Sequence, residues 1–136
     1  MADPRHPRGL IDTSVVIDLE LIEPADLPSE IAVSAITMAE LAAGPHATTD
    51  PAERARRQDR LQRAEATFEP LPVDTAVARA YGRVYAAVGA AGRKARGRRA
   101  VDLFIAATAV AAGLPLYTRN PDDFAGLSEI LEVVRV

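Results

Sequence analysis

The stretch Gly9-Leu-Ile-Asp-Thr-Ser-Val-Val-Ile17 places a carboxylate, Asp12, directly behind an apolar run near the start of the chain. Gly9 to Ile11 reads as a short strand buried on both faces, the pattern of a parallel sheet. Thr13 and Ser14 then lead into a helical stretch to about Ile22. A carboxylate at such a junction has two readings. It caps the helix, as Asp commonly does, or it forms one wall of a metal site, because an ionised carboxylate buried without a partner is strongly disfavoured.

The same alternation continues outward from this stretch. Ile31 to Ser34 reads as a strand, and Thr37 to Ala43 as a helix stopped by Gly44-Pro45. Pro51 sits where the first position of a helix favours proline, and that helix runs to about Phe68. Pro70 to Val73 is extended, and Asp74 caps an Ala-rich helix to about Val88. Ala100 to Ala112 is helical, Leu114 to Tyr117 a strand, and Ile130 to Val136 a last strand. Asn120-Pro121 opens a short helix in which Asn120 reads as the N-cap and Asp123 completes a capping box. Strands alternating with helices predict an α/β fold whose parallel sheet is covered on both faces. All 136 residues form one domain, with residues 1–8 as a flexible N-terminal tail.

Composition narrows the chemistry. The net charge is -3, so no global electrostatic pull on nucleic acid exists, although the cations are fifteen Arg against a single Lys, Lys94. There is no cysteine, which excludes disulfides and thiolate zinc sites. No apolar run reaches membrane-spanning length and none resembles a signal peptide, so a cytoplasmic protein without membrane contact is expected. The two histidines, His6 and His46, both lie beside prolines in loop-like sequence. Any catalysis therefore falls to carboxylates.

Four positions hold acids or amides where a parallel sheet collects its ligands. Asp12 ends the first strand, and Thr118 to Asp123 lies just past another. Glu40 shares a helical face with Ile36 and Ala43, and Asp102 opens a nearly all-apolar helix. Each has a structural alternative: a cap for Asp12, an exposed helix residue for Glu40, and a dipole partner beside Arg98 or Arg99 for Asp102. Together they are more telling. Two carboxylates about 4 Å apart repel by about 4 kcal/mol at an effective dielectric near 20. Three such pairs approach a domain's whole stability. Such a cluster needs protons or a divalent cation, and carboxylate oxygens suit Mg²⁺ or Mn²⁺.

The motifs LIDTS at 10–14, TMAEL at 37–41, DLFIAATA at 102–109 and LYTRNPDDF at 116–124 make the chain resemble the PIN-domain ribonucleases. Among these it is most similar to the VapC-type toxins of bacterial toxin–antitoxin pairs. The resemblance implies a three-layer α/β/α sandwich and a Mg²⁺- or Mn²⁺-dependent endoribonuclease acting on structured RNA such as tRNA or rRNA. It also implies a homodimer and a cognate VapB-type antitoxin. Asp12, Glu40 and Asp102 match the family's three principal acids, with Asp12 and Asp102 as direct metal ligands and Glu40 binding or activating water. Thr13, Ser14 and Thr118 match supporting hydroxyl positions. Asn120 departs from the pattern, because many relatives place a fourth acid there, and Asp123 is the substitute. Arg93, Lys94, Arg96, Arg98 and Arg99 precede Asp102 and form a candidate RNA-phosphate contact. The Arg-rich helix 54–63 reads as a solvated face or an antitoxin groove.

Two other functions fit parts of the pattern. A catalytically inactive PIN-like module that grips RNA or protein fits the Asn120 departure. A phospho-accepting receiver domain fits the size and the strand-end Asp, but it needs a lysine near that Asp, and the only one stands in a Gly-rich segment.

Overall fold

Successive residues of a strand point to opposite faces, so Leu10 and Ile11 can both be buried only if each face of the sheet is covered. The computed structural model describes residues 6–92 and 98–136, Arg98 by its backbone alone. It places β1 (Arg8–Ile11) inside a four-stranded parallel sheet of order β2-β1-β3-β4, with β2 (Glu30–Ala32), β3 (Leu116–Thr118) and β4 (Val133–Arg135). Leu10 aligns with Ala32 on one side and Leu116 on the other.

The helices are α1 (Thr13–Ile17), α2 (Ala35–Ala43), α3 (Pro51–Thr67), α4 (Thr75–Ala90) and α5 (Arg98–Ala112). Leu10 and Leu116 pack on one face with Val77, Val84 and Val88 of α4 and Leu103, Ala106 and Ala109 of α5. Ile11 and Tyr117 pack on the other with Val15 of α1, Leu41 of α2 and Ala64 of α3. This is the three-layer α/β/α sandwich. Gly9 is dictated by its neighbour: a Cβ there would stand 2.6 Å from the ring of Tyr117.

Capping follows the sequence. Asp74 accepts from Val77 N at 3.0 Å to start α4, and Pro51 stands at the start of α3. Elsewhere the elements are shorter than expected. The helix read to Ile22 stops at Ile17 and continues as 3-10 turns at Leu19–Leu21 and Pro24–Asp26. The β-branched run Val15-Val-Ile17 and Pro24 disfavour a longer helix. The second strand ends at Ala32, and Ser34 instead caps α2 by accepting from Ile36 N at 3.0 Å. Pro115 lacks an N–H, so β3 starts only at Leu116. The last strand is confined to Val133–Arg135. At the N-terminus Arg8 already belongs to β1, and the Pro7 carbonyl accepts from Glu30 N at 2.9 Å.

The chain leaves β1 for β2 on one side and later returns to place β3 on the other. The carboxyl ends of β1 and β3 therefore form the topological switch point, where open parallel sheets bind ligands. Among the described residues no helix is long and apolar enough to cross a membrane.

Candidate metal centre at the ends of β1 and β3

Asp12 directly follows β1 and is 6 % exposed. It does cap α1, since its Oδ1 accepts from Val15 N at 3.2 Å. The capping reading is therefore true but incomplete. Ser14 Oγ also donates to Oδ1, at 2.6 Å, and Thr118 Oγ1 donates to Oδ2 at 2.5 Å. Each hydroxyl oxygen accepts in turn from a backbone N–H: Ser14 from Arg119 N at 3.2 Å, and Thr118 from Asn120 N at 3.0 Å. Those amides engage the hydroxyl oxygens and leave their protons for the carboxylate. The Ser14 backbone N–H is a fourth group that acts on the carboxylate, beside Val15 N, Ser14 Oγ and Thr118 Oγ1.

The donors are all neutral. Among the described residues no cationic side chain pairs with Asp12. Burial pushes its carboxyl above the ordinary 3.8, an effect that the bonds from Ser14, Thr118 and Val15 N oppose. Among the described residues this buried acid has no counter-charge, a condition that fits a hard divalent cation.

Glu40 enters the same neighbourhood from α2, half-buried. Thr13 Oγ1 donates to its Oε1 at 2.5 Å and lies 3.1 Å from Thr37 Oγ1. Asp102 stands half-buried near the start of α5, which packs against α2 and against the 3-10 turn Pro121–Phe124. Hydrogen bonds thus join Asp12 with Ser14 and Thr118, and Glu40 and Thr37 with Thr13; the Asp12–Thr13 peptide connects the two groups. Among the described residues no group of three or more Asp, Glu, His or Cys side chains is placed to hold a metal ion.

The fourth position departs from the capping expectation. Asn120 is exposed and makes no side-chain capping bond, and the turn after it is 3-10. The φ of -126° at Asn120 is paired with a ψ of 70°, and its N–H is spent on Thr118. Asp123 is half-buried, and its carbonyl accepts from Arg99 Nη1 at 3.2 Å. Arg99 therefore braces the turn. Arg93, Lys94 and Arg96 lie outside the described residues, as does the side chain of Arg98.

Sequence reading missed Thr37, which is fully buried beside Thr13, and Arg119, whose guanidinium lies 3.5 Å from Asp18. Thr37 shares a helical face with Glu40 three residues on, a signal the spacing carries. Arg119 had none.

Three comparisons bear on this site. The PIN domain family matches residues 10–129. Ribonuclease VapC5 of Mycobacterium tuberculosis (strain ATCC 25618 / H37Rv) is 37 % identical over 133 residues, covering 94 % of this chain and 95 % of that protein. Ribonuclease VapC8 of the same species is 42 % identical over 102 residues, covering 74 % and 89 %. The solved VapBC-5 complex from Mycobacterium tuberculosis, a member of the VapBC family of toxin–antitoxin systems, superimposes with a TM-score of 0.81 at 36 % identity, covering 96 % of this chain and 99 % of that one.

Proposed function

The chain belongs to the PIN-domain family, with VapC-type ribonucleases as relatives along almost its whole length, and on that premise we propose a divalent-metal-dependent endoribonuclease toxin. Its substrate is structured RNA, tRNA or rRNA, and a cognate VapB-type antitoxin neutralises it. The observation that carries this reading is Asp12: buried, raised in pKa and, among the described residues, satisfied only by neutral donors.

Asp12 and Asp102 would hold Mg²⁺ or Mn²⁺ directly, with Glu40 completing the set. When bound, the ion supplies charge for the phosphate oxygens and lowers the pKa of an attacking water. The chain's own groups do the rest. Ser14 and Thr118 fix the plane of the Asp12 carboxylate. Glu40, held at Oε1 by Thr13, keeps Oε2 to take the proton of the attacking water. Hydrolysis then proceeds in line at the phosphodiester. Arg99 and the basic segment before it supply phosphate contacts that do not read sequence.

For the antitoxin, the groove between α1 and α3 is the natural seat. It measures about 400 Å³ and is lined by Ile17, Leu21, Arg60 and Phe68, with Leu21 78 % exposed. An amphipathic segment suits such a surface. A homodimer and a cytoplasmic setting complete the proposal.

The test is cleavage of purified tRNA and rRNA with Mg²⁺, with EDTA, and with the folded Asp102→Asn variant. Cleavage only by the parent and only with metal is expected. Cleavage in EDTA at the parent rate overturns the metal mechanism. The second reading, an inactive module, rests on Asn120 standing where an acid is common, and RNA binding without any cleavage would favour it.

A further inference from the structure

The three hydroxyls next to the acids divide their work. Ser14 and Thr118 both donate to Asp12, whereas Thr13 turns the other way, to Glu40. We propose that Thr13 is the positioning residue for Glu40. The inference rests on the nuclease reading above and adds how its second acid is aimed.

Thr13 is 8 % exposed and Thr37 fully buried, so neither hydroxyl is spent on solvent. A hydroxyl has one proton to give. That of Thr13 goes to the carboxylate, the charged and stronger acceptor, at 2.5 Å. Thr37 Oγ1, 3.1 Å away, is the alternative acceptor for the same proton. Glu40 Oε1 and Thr37 Oγ1 therefore bracket the Thr13 hydroxyl, with the carboxylate as the nearer acceptor. Thr37 lies on the same face of α2 as Glu40, so one helix carries both acceptors.

The covalent connection gives this arrangement its use. Thr13 is the next residue after Asp12, so one peptide unit links the group that fixes Glu40 to the carboxylate at the end of β1. A flexible Glu side chain on another helix is thereby registered against Asp12. Thr13→Val keeps the shape and removes the donor. It leaves the bonds of Ser14 and Thr118 to Asp12 in place and frees Glu40 to sample other rotamers. Thr13→Ser keeps the donor.

The experiment measures kcat, KM and their Mn²⁺ dependence on purified tRNA and rRNA for the full-length parent, Thr13→Val, Thr13→Ser, Thr37→Val, Glu40→Gln and Thr13→Val with Glu40→Gln. Thr13→Val should lower kcat about 10- to 100-fold, the usual cost of losing a supporting partner, with KM and the Mn²⁺ requirement nearly as in the parent. Thr13→Ser should recover most of that loss, and Thr37→Val should lose less than Thr13→Val. On the Glu40→Gln background, Thr13→Val should cost little more, because both changes act on one group. Parent-like kcat in Thr13→Val overturns the role. So does an equal loss in Thr13→Ser, or full additivity with Glu40→Gln. If Thr13→Val does not fold, Thr13→Ala decides: a parent-like kcat there overturns the role. A parent that cleaves neither RNA with Mn²⁺ overturns the nuclease reading itself, a result distinct from all of these.

Discussion

Two carboxylates, Asp12 at the end of β1 and Glu53 on α3, show what makes an acidic residue informative. Glu53 has Arg56 and Arg57 one turn along, at 3.0 and 3.3 Å, and Arg56 above all holds its carboxyl below the usual range. It needs nothing from outside. Asp12 is buried among hydroxyls, with its carboxyl raised by burial. Elsewhere on α3, Arg63 repeats the first pattern, bridging Glu20 at 2.7 Å and Asp59 at 2.6 Å. Charge that is abundant and mutually paired marks a solvated face. Charge that is sparse and buried marks a site.

The same conservative change in the two regions tests that contrast most strongly. Asp12→Asn should lower RNA cleavage by about a thousandfold or more, equivalent to about 4 kcal/mol of transition-state stabilisation, as expected when an ion is lost. Steady-state rates on purified RNA measure it, and a loss below about tenfold breaks the contrast.

Melting curves give the next largest effect. A carboxyl whose native pKa is raised contributes stability that is present below its ordinary 3.8 and lost as the pH rises through the native value. Metal-free parent should therefore carry this cost at pH 7, and metal-free Asp12→Asn should not, melting at or above the parent. Mn²⁺ at a hundredfold excess over its Kd should restore about 2.7 kcal/mol to the parent, a shift of several degrees. An Asn variant stabilised as much as the parent would show that the ion binds elsewhere.

Thr118→Val comes third. It strips the donor from Asp12 Oδ2 and the acceptor from Asn120 N, both in buried or half-buried surroundings. Metal-free stability should fall by about 1–3 kcal/mol, and Mn²⁺ affinity by about 10- to 100-fold. Thermal melts and metal titration report the two separately. Glu53→Gln stands at the small end. Cleavage and Mn²⁺ affinity should match the parent, and a clear loss of either would give α3 a part in the reaction.

Much of this contrast is legible in the amino-acid sequence. The doubly buried run Leu10-Ile11, Asp12 at its end, Pro51 opening α3 and Asp74 capping α4 are local signals, carried by neighbours a few residues away. What stays hidden depends on distant parts of the chain. Thr118 meets Asp12 across 106 positions, and only the family resemblance, not the neighbouring residues, brings its hydroxyl to the site. Leu71 reads only as an extended residue, yet its N–H donates to Val33 O and its carbonyl accepts from Ala35 N, carrying the edge of the sheet past β2. The turn after Asn120 has convincing local chemistry for a capped helix. It becomes 3-10 because β3 ends immediately before it and Thr118 takes the Asn120 N–H.

Calorimetric titration of Mn²⁺ into the parent and into folded Asp12→Asn tests the central claim most directly. Saturable binding by the parent, absent from the variant, is the predicted result. Equal binding by both proteins, or none by either, would contradict the claim that the buried carboxylate at the end of β1 is completed by a divalent ion.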